Sequence, residues 1–96
     1  MSEHIEVHDA PDASQFELRV DGELAGIARY RRHPGIVEFV HTEIDDRFEG
    51  NGLGATLVKA ALDAVRDSGE RVIATCPFVA SYVERHPAYA DLVAPR

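Results

Sequence analysis

The sequence predicts an α+β (mixed α/β) domain, an antiparallel β-meander followed by an α-β-α unit. Three observations carry this reading. Apolar residues alternate with polar ones through much of the first half, the period of a half-buried strand. After Leu53 the apolar residues recur at helical spacing. Between the halves lies "EGNGLGATLV", with Gly50, Gly52 and Gly54 at alternate positions immediately ahead of the helical pattern.

Taken in order, Ile5 to Val7 reads as a short edge strand. Phe16, Leu18 and Val20 alternate with polar residues, and Asp21-Gly22 supplies a favoured two-residue hairpin turn. Leu24 to Arg31 is the return strand, and His33-Pro34-Gly35 makes a second turn. Ile36 to Ile44, rich in β-branched and aromatic residues, closes the meander. Leu53, Leu57, Ala60, Ala61 and Ala64 then form a helical stripe that Val58, Leu62 and Val65 widen. The charges on this helix, Lys59, Asp63, Arg66 and Asp67, read as a solvated face. Gly69 is its natural left-handed cap. Arg71 to Cys76 is a short apolar strand, after which Pro77 biases Cys76 toward an extended conformation. Val79, Tyr82, Val83 and His86 form a one-sided helical stripe that Pro87 ends, and Ala88 to Leu92 make a last helical turn. Ala94, Pro95 and Arg96 are expected to fray.

The totals bound the function. Ninety-six residues suit one domain spanning 1–96. An apolar fraction of 45% with 28% charged residues is that of an ordinary soluble globular protein. No stretch is apolar enough to span a bilayer and "MSEHIEVHDA" has no signal-peptide character, so no membrane partner is expected. One cysteine, Cys76, excludes an internal disulfide and suits a reducing, cytoplasmic setting. A net charge of −7 argues against nucleic acid, which needs a basic footprint. It also leaves any anionic ligand to local dipoles, whereas a cationic partner such as an amine is drawn in. His4, His8 and His33 lack metal-ligand company, and no metal is expected.

A strand, a glycine-rich turn and a helix start together make an anion-binding geometry, because backbone N–H groups converge where the helix dipole is positive. A phosphate-bearing ligand is one client; a plain strand-to-helix link is the other reading. A Walker loop needs a Lys-Ser/Thr pair, and Ala55-Thr56 stands there instead. The dinucleotide fingerprint can be laid onto Gly50, Gly52 and Ala55, but too little chain follows for a doubly wound sheet.

"FEGNGLGATLVKAALDAVRDSG", a strand, and then "CPFVASYVERHPAYADLV" resembles the GNAT superfamily of N-acetyltransferases, most closely its short single-domain branch of YjdJ-type proteins. The resemblance runs from about Glu38 to Val93. It implies a mixed sheet that splays open between the strand ending near Ile44 and the strand ending near Cys76, with acetyl-CoA in the wedge. The pantetheine arm is then expected along His41, Thr42, Glu43 and Ile44. The pyrophosphate is expected on the N–H groups of Asn51, Gly52, Leu53, Gly54 and Ala55. Gly50, Thr56, Pro77, Phe78 and Tyr82 complete the implied cofactor-binding set. Glu49 departs from the superfamily pattern, which has Gln or Arg there; a carboxylate beside a pyrophosphate is unfavourable unless it points away. Helices that larger members insert between the first strands are missing, which implies an acceptor side that is open or completed by a partner. A monomer or weak homo-oligomer is expected.

Acetyl transfer to an amine needs a neutral nucleophile, a path for its proton and stabilisation of the thioester oxyanion. His41, near the end of its strand, suits a general base, or is a solvated or hydrogen-bonded strand residue. The resemblance sets Cys76 facing it across the wedge. There a thiolate could accept the acetyl group and a thiol could protonate departing CoA, while plain core packing stands beside both roles. His86 reads as a helix C-terminal residue favoured by the dipole. Tyr82 and Tyr89 read as packing groups with a polar tip, either of which could reach a cofactor. The function implied is an acetyl-CoA-dependent N-acetyltransferase with a small-molecule or peptide amine acceptor. The alternative is a CoA- or acyl-CoA-binding module without catalysis.

Overall fold

Tight turns set the meander. In the computed structural model, which describes residues 4–94, Asp21 and Gly22 take φ of 50° and 85°. Positive φ at both central residues matches the twist of the flanking strands. Gly35, at φ 70° behind Pro34, makes the next reversal. These turns join β2 (Gln15–Val20), β3 (Glu23–His33) and β4 (Ile36–Ile44) in antiparallel register. β1 (Ile5–Ala10) pairs with β2 along its whole length, Ile5 opposite Val20 and Ala10 opposite Gln15. This edge strand is longer than the Ile5–Val7 expected from alternation, because only the 3₁₀ turn Pro11–Ala13 and its cap Ser14 separate it from β2. β3 likewise runs past Arg31, where Arg32 and His33 find partners in Val37 and Ile36.

α1 (Leu53–Asp67) crosses over and β5 (Arg71–Ala74) joins β4 in parallel, giving a five-stranded mixed sheet in the order β1-β2-β3-β4-β5. α2 (Pro77–Arg85) and a 3₁₀ segment (Pro87–Leu92) follow, and Val93 bridges Val72 at the outer edge of β5. β5 ends at Ala74, short of Cys76. Cys76 is extended, at φ −66° and ψ 125°, but serves as the residue before α2, with Pro77 in the first turn. Ala94 does not fray: it is buried and its N–H donates to the Val72 carbonyl at 2.7 Å. Pro95 and Arg96 lie outside the described residues.

The core fills one face of the sheet. Phe16, Leu18 and Val20 of β2, Tyr30 of β3, and Val37 and Phe39 of β4 meet Leu57, Val58, Ala61, Leu62 and Val65 of α1. Phe16, Tyr30 and Phe39 form a triangle of rings with centroids 5.6–6.3 Å apart. Val79 and Tyr82 of α2, Tyr89 and Leu92 join the same cluster. Leu57 and Leu62 are fully buried, so truncating either to Ala would cost about 2–5 kcal/mol. The helical stripe is narrower than expected, with Ala60 half-buried and Ala64 exposed. Nor is the charged face of α1 simply solvated. Asp63 accepts from Lys59 Nζ at 2.8 Å and from the Tyr89 hydroxyl at 2.7 Å, and Arg66 donates to the Ala88 carbonyl at 2.7 Å. These bonds fasten the C-terminal segment to α1. Among the described residues no helix covers the opposite face of the sheet, where alternation puts Glu17, Ile27, Arg29, Glu38, His41 and Glu43.

Candidate functional site

β4 and β5 pair only from Ile36 opposite Arg71 to Phe39 opposite Ala74. Their last tie is the Cys76 N–H, which donates to the Phe39 carbonyl at 2.8 Å. Beyond it β4 continues to Ile44 with β3 as its only neighbouring strand among the described residues. Main-chain groups on the β5 side of that stretch are open to an extended ligand. On the open face the base of this fork is latched by Glu38, which accepts from the Thr75 hydroxyl at 2.6 Å and lies 2.8 Å from His33 Nε2. The Thr75 bond first, and His33 second, hold the Glu38 carboxyl below its ordinary range.

A bulge decides which side chains face the fork. Tyr30 pairs with Phe39 but Arg29 pairs with His41, so Val40 is an extra residue on β4. Without it His41 would continue the inward series of Val37 and Phe39. With it, Thr42 and Ile44 turn to the helix face, and exposed His41 and Glu43 turn to the open face. Thr42 is therefore the residue that meets Cys76, with Oγ1 3.4 Å from Sγ. His41 does not face Cys76 across the wedge; its Nε2 lies 3.7 Å from the Glu43 carboxylate.

The three glycines have different reasons. Gly50 and Gly52 take φ of 84° and 71°, a backbone that other residues rarely adopt. Gly52 caps α1 with no side chain to bond, and the first bond into the helix runs from the Thr56 N–H to the Gly52 carbonyl at 3.2 Å. The N–H groups of Leu53, Gly54 and Ala55 are left without an intrahelical acceptor at the positive end of the dipole. Gly54 sits inside α1, and a Cβ there would lie 2.7 Å from the Phe78 ring.

Fork and helix start open into one cleft of about 540 Å³. Of the residues expected to bind the cofactor, Thr42, Ile44, Gly50, Gly52, Leu53, Gly54, Ala55 and Phe78 line it. The side chains of the others are not in its lining. Asn51 Nδ2 donates to the Phe48 carbonyl at 3.2 Å, holding the loop, and the Thr56 hydroxyl turns back to the Gly52 carbonyl at 3.3 Å. Pro77 is exposed in the first turn of α2. Tyr82 is buried and stacked on His86, with ring centroids 3.9 Å apart. Cys76 is 4% exposed, and its contact with the cleft wall is Thr42. Glu49 also lines the cleft, as does Phe48, which sequence reasoning passed over. An aromatic residue two positions before the glycine run was the available signal. The Arg47 guanidinium lies 5.3 Å from the Phe48 ring centroid and pairs with Asp45 and Glu23, fixing that wall. The Arg47 backbone N–H, then its side chain, hold the Asp45 carboxyl below the usual range.

A GCN5-related N-acetyl-transferase family model matches residues 15–92 of this chain. The chain belongs to that family. Its fold matches that of solved N-acetyltransferase structures. It is similar to a GCN5-like protein from Staphylococcus aureus, with a TM-score of 0.70 and 22% identity over 95% of this chain and 89% of that one. It is similar also to a Bacillus subtilis acetyltransferase solved in complex with CoA, with a TM-score of 0.59 and 16% identity over 88% and 74%. In sequence it is similar to Protein NATD1 of Gallus gallus, 32% identical over 85 residues, which are 86% of this chain and 77% of the relative. To Protein NATD1 of Homo sapiens it is 38% identical over 75 residues, 76% and 66% of the two chains. The family match starts at the first residue of β2 and takes in the fork, the glycine turn and both helices.

Proposed function

We propose that this protein is an acetyl-CoA-dependent N-acetyltransferase for an amine acceptor, of the short single-domain branch marked by "CPF" and "HPAYADL". One observation carries the reading: the β4–β5 fork and the uncapped start of α1 open into the same cleft. That is the pairing a ligand with an amide-bearing arm and a pyrophosphate requires. When bound, acetyl-CoA supplies an activated acetyl group, whose carbon bonds to the amine nitrogen as its C–S bond breaks, the proton lost by the amine balancing CoA's departure as a thiol. Unpaired main chain from His41 to Ile44 pairs with the arm. N–H groups of Leu53, Gly54 and Ala55 hold the pyrophosphate, and Phe48 and Phe78 wall off water. Among the described residues Glu49 is the one charged side chain lining this cleft, so the anion is held by backbone dipoles, not by cations. His41, exposed on the open face beside Glu43, takes the proton released by an amine arriving from that side. Cys76, buried and bonded to Thr42, is the weaker candidate for covalent relay.

Titrating CoA into ¹⁵N-labelled protein tests this. Amide shifts are expected at residues 41–44 and 50–56, and silence there with shifts elsewhere overturns the assignment. A second reading, a CoA-binding module without turnover, is favoured by the Glu49 carboxylate in the cleft. Tight CoA binding with no transfer to any of a panel of small amines and peptides would select it.

A further inference from the structure

On the uncovered face of the sheet, two cross-strand rows bring together six side chains of β2, β3 and β4. Gln15, Arg29 and His41 stand side by side, and next to them Glu17, Ile27 and Glu43. Neighbours within such a row are about 5 Å apart at Cβ. A groove of about 500 Å³ opens among Gln15, Ile27, Arg29 and Glu43 and runs on past Leu24 to Asp46. It is separate from the CoA cleft, with β4 as the wall between them.

Among the described residues two polar groups in this groove lack partners. Gln15 is only 9% exposed, and its Nε2 is committed to Glu17 at 2.7 Å. Among the described residues its Oε1 accepts no hydrogen bond and no buried side-chain oxygen is left unsatisfied, so Oε1 keeps a solvent-facing surface, and the space that Gln15 lines is this groove. Arg29 makes no ion pair or hydrogen bond among the described residues, although two carboxylates stand diagonal to it. Glu17 is taken by Gln15 and by Arg19 at 3.2 Å, and Glu43 faces His41. A chain of net charge −7 thus keeps an unpaired guanidinium beside an unpaired amide oxygen in one groove.

We propose that this groove is the acceptor subsite and that it takes a zwitterion, a free amino acid with a hydrogen-bond donor on its side chain; the inference rests on the acetyltransferase reading. The ammonium sits between Glu43 and His41, on the strand that borders the fork. The carboxylate sits on Arg29, the immediate neighbour of His41. The side chain crosses Ile27 toward the Gln15 carbonyl, which accepts its donor. This uses both signs of charge. A polyamine would set a second ammonium against Arg29, and a polyanion would meet Glu43 and Asp46, so charge complementarity selects the zwitterion over either.

Free L-glutamine titrated into the labelled protein without CoA, followed by amide shifts, is the test. Shifts are expected at Gln15, Ile27, Arg29 and Glu43. Arg29→Met should weaken that binding at least tenfold without changing the CoA shifts at residues 50–56, and Glu43→Gln should weaken it severalfold. L-glutaminamide, which lacks the carboxylate, should bind wild type at least tenfold more weakly than L-glutamine. Equal binding of the two, or spermidine binding that Arg29→Met strengthens while L-glutamine leaves the groove silent, overturns the proposal. If L-glutamine moves the groove while CoA leaves residues 50–56 silent, the amino-acid site stands and the CoA reading fails.

Discussion

Phe78 lies against Gly54 so closely that a Cβ on Gly54 would come within 2.7 Å of the ring's Cζ. The glycine at the start of α1 is therefore read by a side chain of α2, across the mouth of the cleft. That Cζ is the far end of a side chain 42% exposed, so the ring can swing aside. Alanine also gains up to about 1 kcal/mol of helix propensity over glycine. Gly54→Ala is therefore expected to leave stability within about 1 kcal/mol of wild type while displacing Phe78 and weakening CoA binding severalfold. Gly26→Ala is the contrast. Its Cβ would meet Ile44 Cδ1 at 2.5 Å and the Glu43 backbone oxygen at 3.1 Å, inside the core, and overpacking of that kind costs about 1–3 kcal/mol. Urea unfolding of the two variants reads both numbers; Gly54→Ala unfolding at lower urea than Gly26→Ala would reverse the account.

Glu49 brings a negative charge to a cleft whose proposed ligand is a polyanion. Glu49→Gln keeps the size of the side chain and removes the charge. CoA affinity should rise a few-fold at low ionic strength, about 0.3–1 kcal/mol for one partly solvated charge, and the gain should shrink as salt is added. Calorimetry at two salt concentrations decides it. An unchanged affinity at low salt would mean that the carboxylate points away from the bound anion.

The strand and helix order was legible because the sequence changes period at a visible place, with Asp21-Gly22, Pro34-Gly35 and Gly69 marking reversals. Positive φ is required at those turns, and few residue types supply it. The site was legible only in part. Gly50 and Gly52 declare themselves through backbone conformation, but the bulge at Val40 leaves no local signature, and it turns His41 away from Cys76 and brings Thr42 to it. A shift of one residue in a strand exchanges its faces, and alternation alone cannot reveal it. Gly54 was hidden for another reason. Its partner Phe78 lies twenty-four positions along the chain, so a constraint that looked like phosphate geometry is one of packing.

Asp63 gives a pH dependence of definite sign. The bond from Lys59, then that from the Tyr89 hydroxyl, hold its carboxyl below the ordinary aspartate value in the folded protein. A lowered folded-state pKa adds stability above the unfolded value, near 3.9 for a free aspartate, and that stability is lost as pH falls through the lower folded value. Asp63→Asn should therefore be less stable than wild type at pH 7, and the gap should close toward pH 3. Asp63 is 42% exposed on its side chain and keeps water as an alternative partner. Tyr89→Phe should accordingly cost only about 1 kcal/mol. Melting curves at the two pH values check both, and a gap that persists at pH 3 would assign the effect to packing.

His41 and Cys76 lie on opposite sides of the sheet, and this lets their roles be separated one residue at a time. His41 is exposed where an acceptor can arrive, whereas Cys76 is buried and reaches the cleft wall through Thr42. In direct transfer the general base is worth about 10²–10⁴ in rate, and a bystander thiol is worth little. His41→Gln should then lower kcat by at least tenfold without altering CoA affinity, since its side chain is absent from the cleft lining. Cys76→Ala should keep kcat within a few-fold and lose about 1 kcal/mol of stability from the small cavity it leaves. Cys76→Ser guards against reading that cavity as chemistry, because its hydroxyl can still bond to Thr42. In a covalent relay the ranking inverts: both cysteine variants would be inactive and mass spectrometry of the wild type with acetyl-CoA would find an acetylated Cys76. Turnover that survives in both cysteine variants, with no acetylated Cys76 in the wild type, would leave direct attack as the route.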